Sequence, residues 1–374
     1  MRIGVPREIK VHEYRVGLTP ESVSVLASDG HEVIVESGAG AGISATDEAY
    51  RNAGAMVAKT AAEVFDAAHL IVKVKEPLTP ERKLFHPGQA LFTYLHLAPD
   101  PYQADDLINA GVTAIAYETV TAPDGSLPLL VPMSVIAGRM TVQVAAHFLE
   151  RPQGGRGILM AGAPGVPPAR VLVLGAGTVG RSAAAIALGM GAKIVILSRT
   201  EQEVAEIENR FGPVPKAAIA SPQRISEELP SADAVIGAAL VAGAAAPKLV
   251  TRAMLKTMKP GAVLVDVSID QGGCFETSHP TTHANPGFIV DGILHYCVAN
   301  MPGAVPHTST YALNQATLPH VRKLARMGIG AALREDAHLR NGLNVCAGAI
   351  TQREVAAALG HPFQDPLKAL ENVT

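Results

Sequence analysis

Cysteine is scarce in the 374-residue sequence. Cys274, Cys297 and Cys346 are the only three, far apart and without a C-x-x-C pair. That argues against a disulfide framework or a zinc site and suits a reducing compartment. Charge of one sign is missing too. Thirty-one Lys and Arg against 34 Asp and Glu leave a formal net charge of −3, mixed along the chain with no long block of either sign. Nothing in that balance points to nucleic acid or an anionic membrane surface as a partner. Glycine, proline or charge interrupts each apolar run well short of the roughly 20 residues a membrane span needs. Met1-Arg-Ile-Gly-Val-Pro-Arg7 lacks the apolar core of a secretory signal, and no low-complexity tract occurs. The expectation is a soluble, cytoplasmic chain with neither nucleic acid nor membrane as partner.

What is present is apolar and periodic. Apolar residues make up 48% of the chain, enough for a large interior, and the length suits two domains. The run Arg170-Val-Leu-Val-Leu174 reads as a buried parallel strand. It leads directly into Gly175-x-Gly177-x-x-Gly180 and then an alanine-rich helix, the context a dinucleotide fingerprint requires. Gly175 permits the tight turn, Gly177 the approach of a pyrophosphate, and Gly180 the packing of helix on strand. The N–H groups and dipole of the helix N-terminus then face the phosphates. An ordinary strand-to-helix turn is the plainer alternative. The next strand, Lys193–Leu197, is followed by Ser198 and Arg199, where the residue that reads the adenosine ribose belongs. A carboxylate there bonds the 2′-hydroxyl of NAD, whereas a nearby arginine accommodates the 2′-phosphate of NADP.

Strands and helices alternate from the first residues onward. Strands are expected at 2–5, 32–35, 70–74, 90–95 and 112–117, a long helix at 133–151, and further strands at 234–238, 262–266 and up to 299. Helices are expected from Thr308 to the end, at 313–327, 330–336 and 350–359. The fold class is α/β: two Rossmann-like domains with parallel sheets and the active site in the cleft between them. Residues 1–128 with 307–374 are expected to form a discontinuous substrate domain, and 129–306 the dinucleotide-binding domain.

Ligands of such sheets bind beyond the carboxyl ends of the strands. Lys75 and His96 fall there, Arg15 lies in the loop after the first strand, and Asp270 follows the strand ending near Val267. Arg15 suits a two-pronged contact with a substrate carboxylate, and Lys75 adds a second positive charge. An imidazole such as His96 exchanges protons near neutrality. Asp270 suits proton movement or the steadying of an iminium cation. Each also has a bland reading, as loop charge, strand end, ordinary polar histidine or turn residue. His279 and His283, in a Pro/Thr-rich loop without a second ligand pair, read as surface residues.

Several stretches together resemble the bacterial L-alanine dehydrogenase family over nearly the whole chain. They are Gly4–Lys10 with Arg15, Lys73–Pro77, Tyr94–Ala98, Gly154–Gly157 through the fingerprint, Val265–Glu276 and Tyr296–Pro306. The resemblance implies reversible oxidative deamination of L-alanine to pyruvate and ammonium, with hydride transfer to a nicotinamide. It places Arg15 and Lys75 at the substrate carboxylate and His96 and Asp270 in acid–base roles. Ser134, Thr178, Val179, Ala239 and Leu240 match nucleotide-contacting positions. So do Val267, Ser268, Ile269 and Asp270, and Val298, Ala299, Asn300 and Met301. It implies NAD as cofactor and a homohexamer with the helix after Pro132 near subunit contacts.

Two departures stand out. The family usually carries Asp at Ser198 and a basic residue at Glu203, so loss of that Asp beside Arg199 predicts weakened discrimination against NADP or a preference for it. Lys323 and Met327 stand where some members carry magnesium ligands, so no metal site is expected. The alternative is the nucleotide-binding subunit of a proton-translocating transhydrogenase. That subunit would need a separate membrane partner and has little use for Arg15, Lys75 and His96 together.

Overall fold

Short apolar runs separated by capped helices build the fold. The computed structural model describes residues 1–239 and 246–373, which divide into two compact units: Met1–Met133 with Gly303–Thr374, and Ser134–Pro302. The first unit begins with β1 (Arg2–Val5), β2 (Glu32–Glu36), β3 (Met56–Ala58), β4 (Leu70–Val72), β5 (Ala90–Thr93) and β6 (Thr113–Ala116). The second holds β7 (Arg170–Leu174), β8 (Lys193–Ser198), β9 (Lys216–Ile219), β10 (Ala234–Gly237), β11 (Val263–Asp266), β12 (Gly287–Val290) and β13 (Ile293–Tyr296). The chain then returns to the first unit for β14 (Leu343–Cys346) and β15 (Ala349–Ile350).

The first sheet runs β15-β14-β6-β5-β4-β1-β2-β3, the second β12-β13-β11-β10-β7-β8-β9. Their central strands pair in parallel, and β4, β5, β6, β10 and β11 are buried at every residue, as strands covered on both faces must be. Helix starts follow from local chemistry. Thr19, Thr46, Thr60, Thr200 and Thr251 each precede a helix and accept one of its orphan N–H groups. Val64, Phe65, Ile71, Leu91 and Val345 pack in one core of the first unit, and Leu172, Val195, Val235, Leu264 and Phe275 in one of the second.

The sheets are mixed rather than wholly parallel, which corrects the sequence expectation. β12 and β13 form an antiparallel hairpin whose two turn residues, Asp291 (φ 50°) and Gly292 (φ 79°), both lie at positive φ. β14 and β15 form another across Ala347 (φ 48°) and Gly348 (φ 78°), and β14 runs antiparallel to β6. Two-residue turns of that kind join only antiparallel strands. The C-terminal stretch is therefore not purely helical: Ile350 belongs to β15, and the last long helical pattern starts at Arg353. The strand expected to reach Ala299 stops at Tyr296, leaving 297–300 as a loop. Sequence reasoning missed β3 and β9, which are short edge strands whose residues are exposed or only partly buried.

Candidate functional site

In the first unit, neighbouring strands β1, β4, β5 and β6 deliver their C-terminal loops to one end of the sheet. The loop after β1 carries Glu8, Glu13 and Arg15, and the one after β4 carries Lys73, Lys75 and Glu76. His96 lies beyond β5 and Glu118 beyond β6. Lys75 and His96 each stand three residues past adjacent strands, and their Nζ and Nε2 atoms are 3.5 Å apart. His96 adopts φ 46°, an uncommon conformation for a residue with a side chain. Its N–H donates to Glu118 Oε1 at 2.6 Å, and its ring stacks on Tyr94 at 6.0 Å.

Arg15 is almost wholly buried. Its Nε and Nη2 donate to the two carboxylate oxygens of Glu13 at 2.6 and 2.5 Å, and Nη1 lies 3.0 Å from Met133 Sδ. Burial opposes its charge, but the Glu13 carboxylate outweighs that and raises its pKa. Sequence reasoning assigned Arg15 a two-pronged contact with a substrate carboxylate; here the Nε–Nη2 edge makes such a contact with Glu13.

Beneath lies a charge cluster that sequence reasoning missed. Lys73, fully buried, has its Nζ 2.5 Å from Glu81 and 3.3 Å from Glu8. Burial disfavours its charge, yet the two carboxylates carry its pKa upward. Glu8 accepts from the Val74 N–H at 2.7 Å and is raised to about 6 by burial, against the pull of Lys73 and with the help of Glu13 and Glu81. Of the two carboxylates that share the ammonium, Glu8 stands the farther from it. Burial pushes Glu76 up, but Lys75 and its partner Lys10 bring it below its ordinary value. The only sequence signal was that Glu8 and Lys73 fall inside the motifs already singled out.

In the second unit the C-terminal ends of β7, β8, β10, β11 and β13 share one edge. Gly175, at φ 111°, passes so close to the end of β10 that a Cβ would lie 2.5 Å from the Ala238 oxygen. A Cβ on Gly180 would lie 1.9 Å from the Gly175 oxygen, so helix Thr178–Gly189 starts tight against the strand. Gly177, the helix N-cap, has no neighbour within 4 Å of an added Cβ. That combination, close packing behind and open space in front of a helix N-terminus, fits a dinucleotide pyrophosphate. Thr178 and Val179 open the helix, half-buried. The Val179 carbonyl is overlaid by Gly138 of helix Val131–Phe148, and Ser134 lies one turn earlier on that helix face.

Asp266 ends β11 fully buried and accepts from Ser278 Oγ (2.6 Å) and from the N–H groups of Ser268, Cys274 and Phe275. Burial raises its pKa against these bonds. It shapes the 3₁₀ turn Val267–Gln271, which carries Ser268, Ile269 and an exposed Asp270. Ser268 Oγ donates to the Ala239 oxygen at 2.7 Å, and Lys248 Nζ to the oxygens of Gly272, Gly273 and Phe275. Beyond β13, Val298 and Met301 are buried and Ala299 half-buried, and Asn300 sits at φ 63° with its carbonyl 3.3 Å from His283 Nε2. His283 is thus half-buried against this loop rather than a plain surface residue. Leu240 lies outside the described residues.

Residues 4–137 match the family described as "Alanine dehydrogenase/PNT, N-terminal domain", and residues 141–353 match "Alanine dehydrogenase/PNT, C-terminal domain". The chain belongs to the alanine dehydrogenase/PNT family. The alanine dehydrogenase of Halomonas elongata is 53% identical over 360 residues, 96% of this chain and 97% of that protein. A solved L-alanine dehydrogenase structure has a TM-score of 0.93 at 48% identity, covering 96% of this chain and 99% of that one. The transhydrogenase from Sinorhizobium meliloti has a TM-score of 0.80 at 26% identity, covering 94% and 99%.

Within this alanine dehydrogenase/PNT chain, Ser198 at the end of β8 is 1% exposed, its Oγ 3.5 Å from the Thr200 oxygen, and Arg199 is exposed. Lys323 pairs with Asp336 at 2.9 Å. Among the described residues, no group of three or more His, Cys, Asp or Glu could hold a metal, and no helix is long and apolar enough to cross a membrane.

Proposed function

We propose that this chain catalyses the reversible oxidative deamination of L-alanine to pyruvate and ammonium, using a nicotinamide dinucleotide. NAD is the principal cofactor, and NADP is a candidate because Ser198 stands where a carboxylate is usual. The observation that carries the reading is Lys75 facing His96 at 3.5 Å past the adjacent strands β4 and β5, with Arg15 in the loop after β1, in a chain that also carries the glycine cradle of residues 175–180.

The first unit binds the substrate. Its carboxylate meets Lys75 and the Nη1 side of Arg15, beside Met133, while Glu13 fixes the other edge of the guanidinium. That pre-pairing removes most of the ordering cost of a long side chain. Lys75 Nζ lies 3.5 Å from His96 Nε2, so the cation and the imidazole face the same substrate end. His96 takes the proton from the substrate-derived nitrogen or oxygen and returns it in the reverse direction. Asp270, on a turn fixed by Asp266, steadies the cationic iminium carbon and relays protons to water. A nicotinamide bound at residues 175–180, Ala239, 267–270 and 298–301 supplies the hydride acceptor, or the donor in reverse. The backbone N–H groups at the helix start hold its pyrophosphate. We further propose a cytoplasmic homohexamer.

The test is NADH and NADPH oxidation with pyruvate and ammonium together, and with each omitted. Oxidation that needs both components supports the reading. Hydride exchange between two nucleotides with neither component present would replace it with the transhydrogenase reading.

A further inference from the structure

We propose that Glu203 sets the nucleotide preference of this chain, resupplying from the next helix the carboxylate that Ser198 lacks at the end of β8. This rests on the nicotinamide-dependent reading above and specifies the adenosine end of the same site. Helix Glu201–Phe211 is capped by Thr200, whose Oγ1 accepts from the Glu203 N–H at 3.2 Å. Glu203 then folds back over the turn. Its Oε2 accepts from the Arg199 backbone N–H at 2.9 Å, and its Oε1 lies 3.4 Å from Arg199 Nη2. The carboxylate side chain is only 22% exposed, whereas the Arg199 side chain is 71% exposed. The acid is therefore the settled member of the pair.

Two consequences follow for a ribose bound after β8. A 2′-hydroxyl is a donor and finds an acceptor already placed at the strand end. A 2′-phosphate carries close to two negative charges and would meet that same carboxylate, with the Arg199 amide already engaged. The other arginine at this end, Arg181 of the fingerprint helix, pairs with Glu206 one turn further along at 2.8 Å. Both arginines are thus answered by glutamates on one helix. The expectation that Ser198 and Arg199 together open the site to NADP omitted this. Carboxylate repulsion is relocated from 198 to 203, and the chain favours NAD.

The test measures NADH and NADPH dissociation constants by fluorescence titration for the wild type, Glu203→Gln, Glu203→Lys, and Glu203→Gln combined with Arg199→Ala. Melting temperatures confirm that each variant is folded. Wild type should bind NADH at least ~10-fold more tightly than NADPH. Glu203→Gln should move the ratio toward NADPH by about 5- to 10-fold and Glu203→Lys further, with the Arg199→Ala addition cancelling the gain. The alanine KM should hold in all of them. Wild type preferring NADPH, or ratios in both single variants within about twofold of wild type, would overturn the assignment of Glu203. Failure of the wild type to bind either nucleotide would instead overturn the reading of the fingerprint, and this inference with it.

Discussion

The two units solve the same topological problem with opposite materials. Each gathers loops at the carboxyl ends of parallel strands. In the first unit those loops carry charged side chains, several of them buried and already paired: Arg15 on Glu13, and Lys73 on Glu8 and Glu81. In the second the strand ends carry mostly small residues and backbone, with Gly175, Gly177 and Gly180 making room and the helix N–H groups left to act. A small carboxylate substrate must be held by directed charge, whereas a long dinucleotide can be held by shape and backbone amides. On the proposed function, chemistry is concentrated in the loops of the first unit and clearance in those of the second.

The comparison breaks most visibly at His96. Replacing it by Ala should lower kcat by about 10²- to 10⁴-fold while the NADH dissociation constant stays put, as stopped-flow and binding titrations would read. Turnover close to normal would remove proton transfer from the first unit. Next comes the second unit's reliance on absent side chains. Gly180→Ala places a Cβ 1.9 Å from the Gly175 oxygen and should cost roughly 2–3 kcal/mol by chemical denaturation. Gly177→Ala meets nothing within 4 Å and should leave stability within about 1 kcal/mol while weakening nucleotide binding. Equal losses of stability in the two variants would contradict the division between packing glycine and approach glycine.

The smallest effect concerns the buried charge of the first unit. Glu8 is raised from 4.5 to about 6, so between those values the native state holds more protons than the unfolded chain. Its contribution to stability is complete below pH 4.5 and is lost as the pH rises through about 6, a change on the order of 2 kcal/mol. The melting temperature of wild type minus that of Glu8→Gln should fall across that window and then level off. A difference that rises or stays flat would mean that Glu8 is not held in a pocket that disfavours its ionised form.

Much of this architecture is legible in the residues alone. β1, β4, β5, β7, β8, β10 and β11 are apolar runs ended by glycine, charge or polar residues, and that punctuation also locates Lys75 and His96 just past adjacent strands. The edges are less legible. β3 and β9 lack a continuous buried run, and the Asp291-Gly292 turn, a strong hairpin signal, was hidden inside an expected parallel sheet. Glu8, Glu13 and Glu81 were passed over because a carboxylate is exposed by default, and only the fold reveals which ones are buried beside a cation. Glu203 was visible as a departure, but its return onto Arg199 depends on the Thr200 cap, a local geometry that composition does not encode.

The most direct test of the division between the units is Arg15→Lys, which keeps the charge of the proposed anion site in the first unit but loses the planar fork. The quantity to measure is the pyruvate KM at saturating ammonium, beside the NADH dissociation constant of the same preparation. The account predicts a pyruvate KM raised by about 10-fold or more, with NADH binding within about twofold of wild type. An unchanged pyruvate KM, or an NADH constant that rises in step with it, would contradict it.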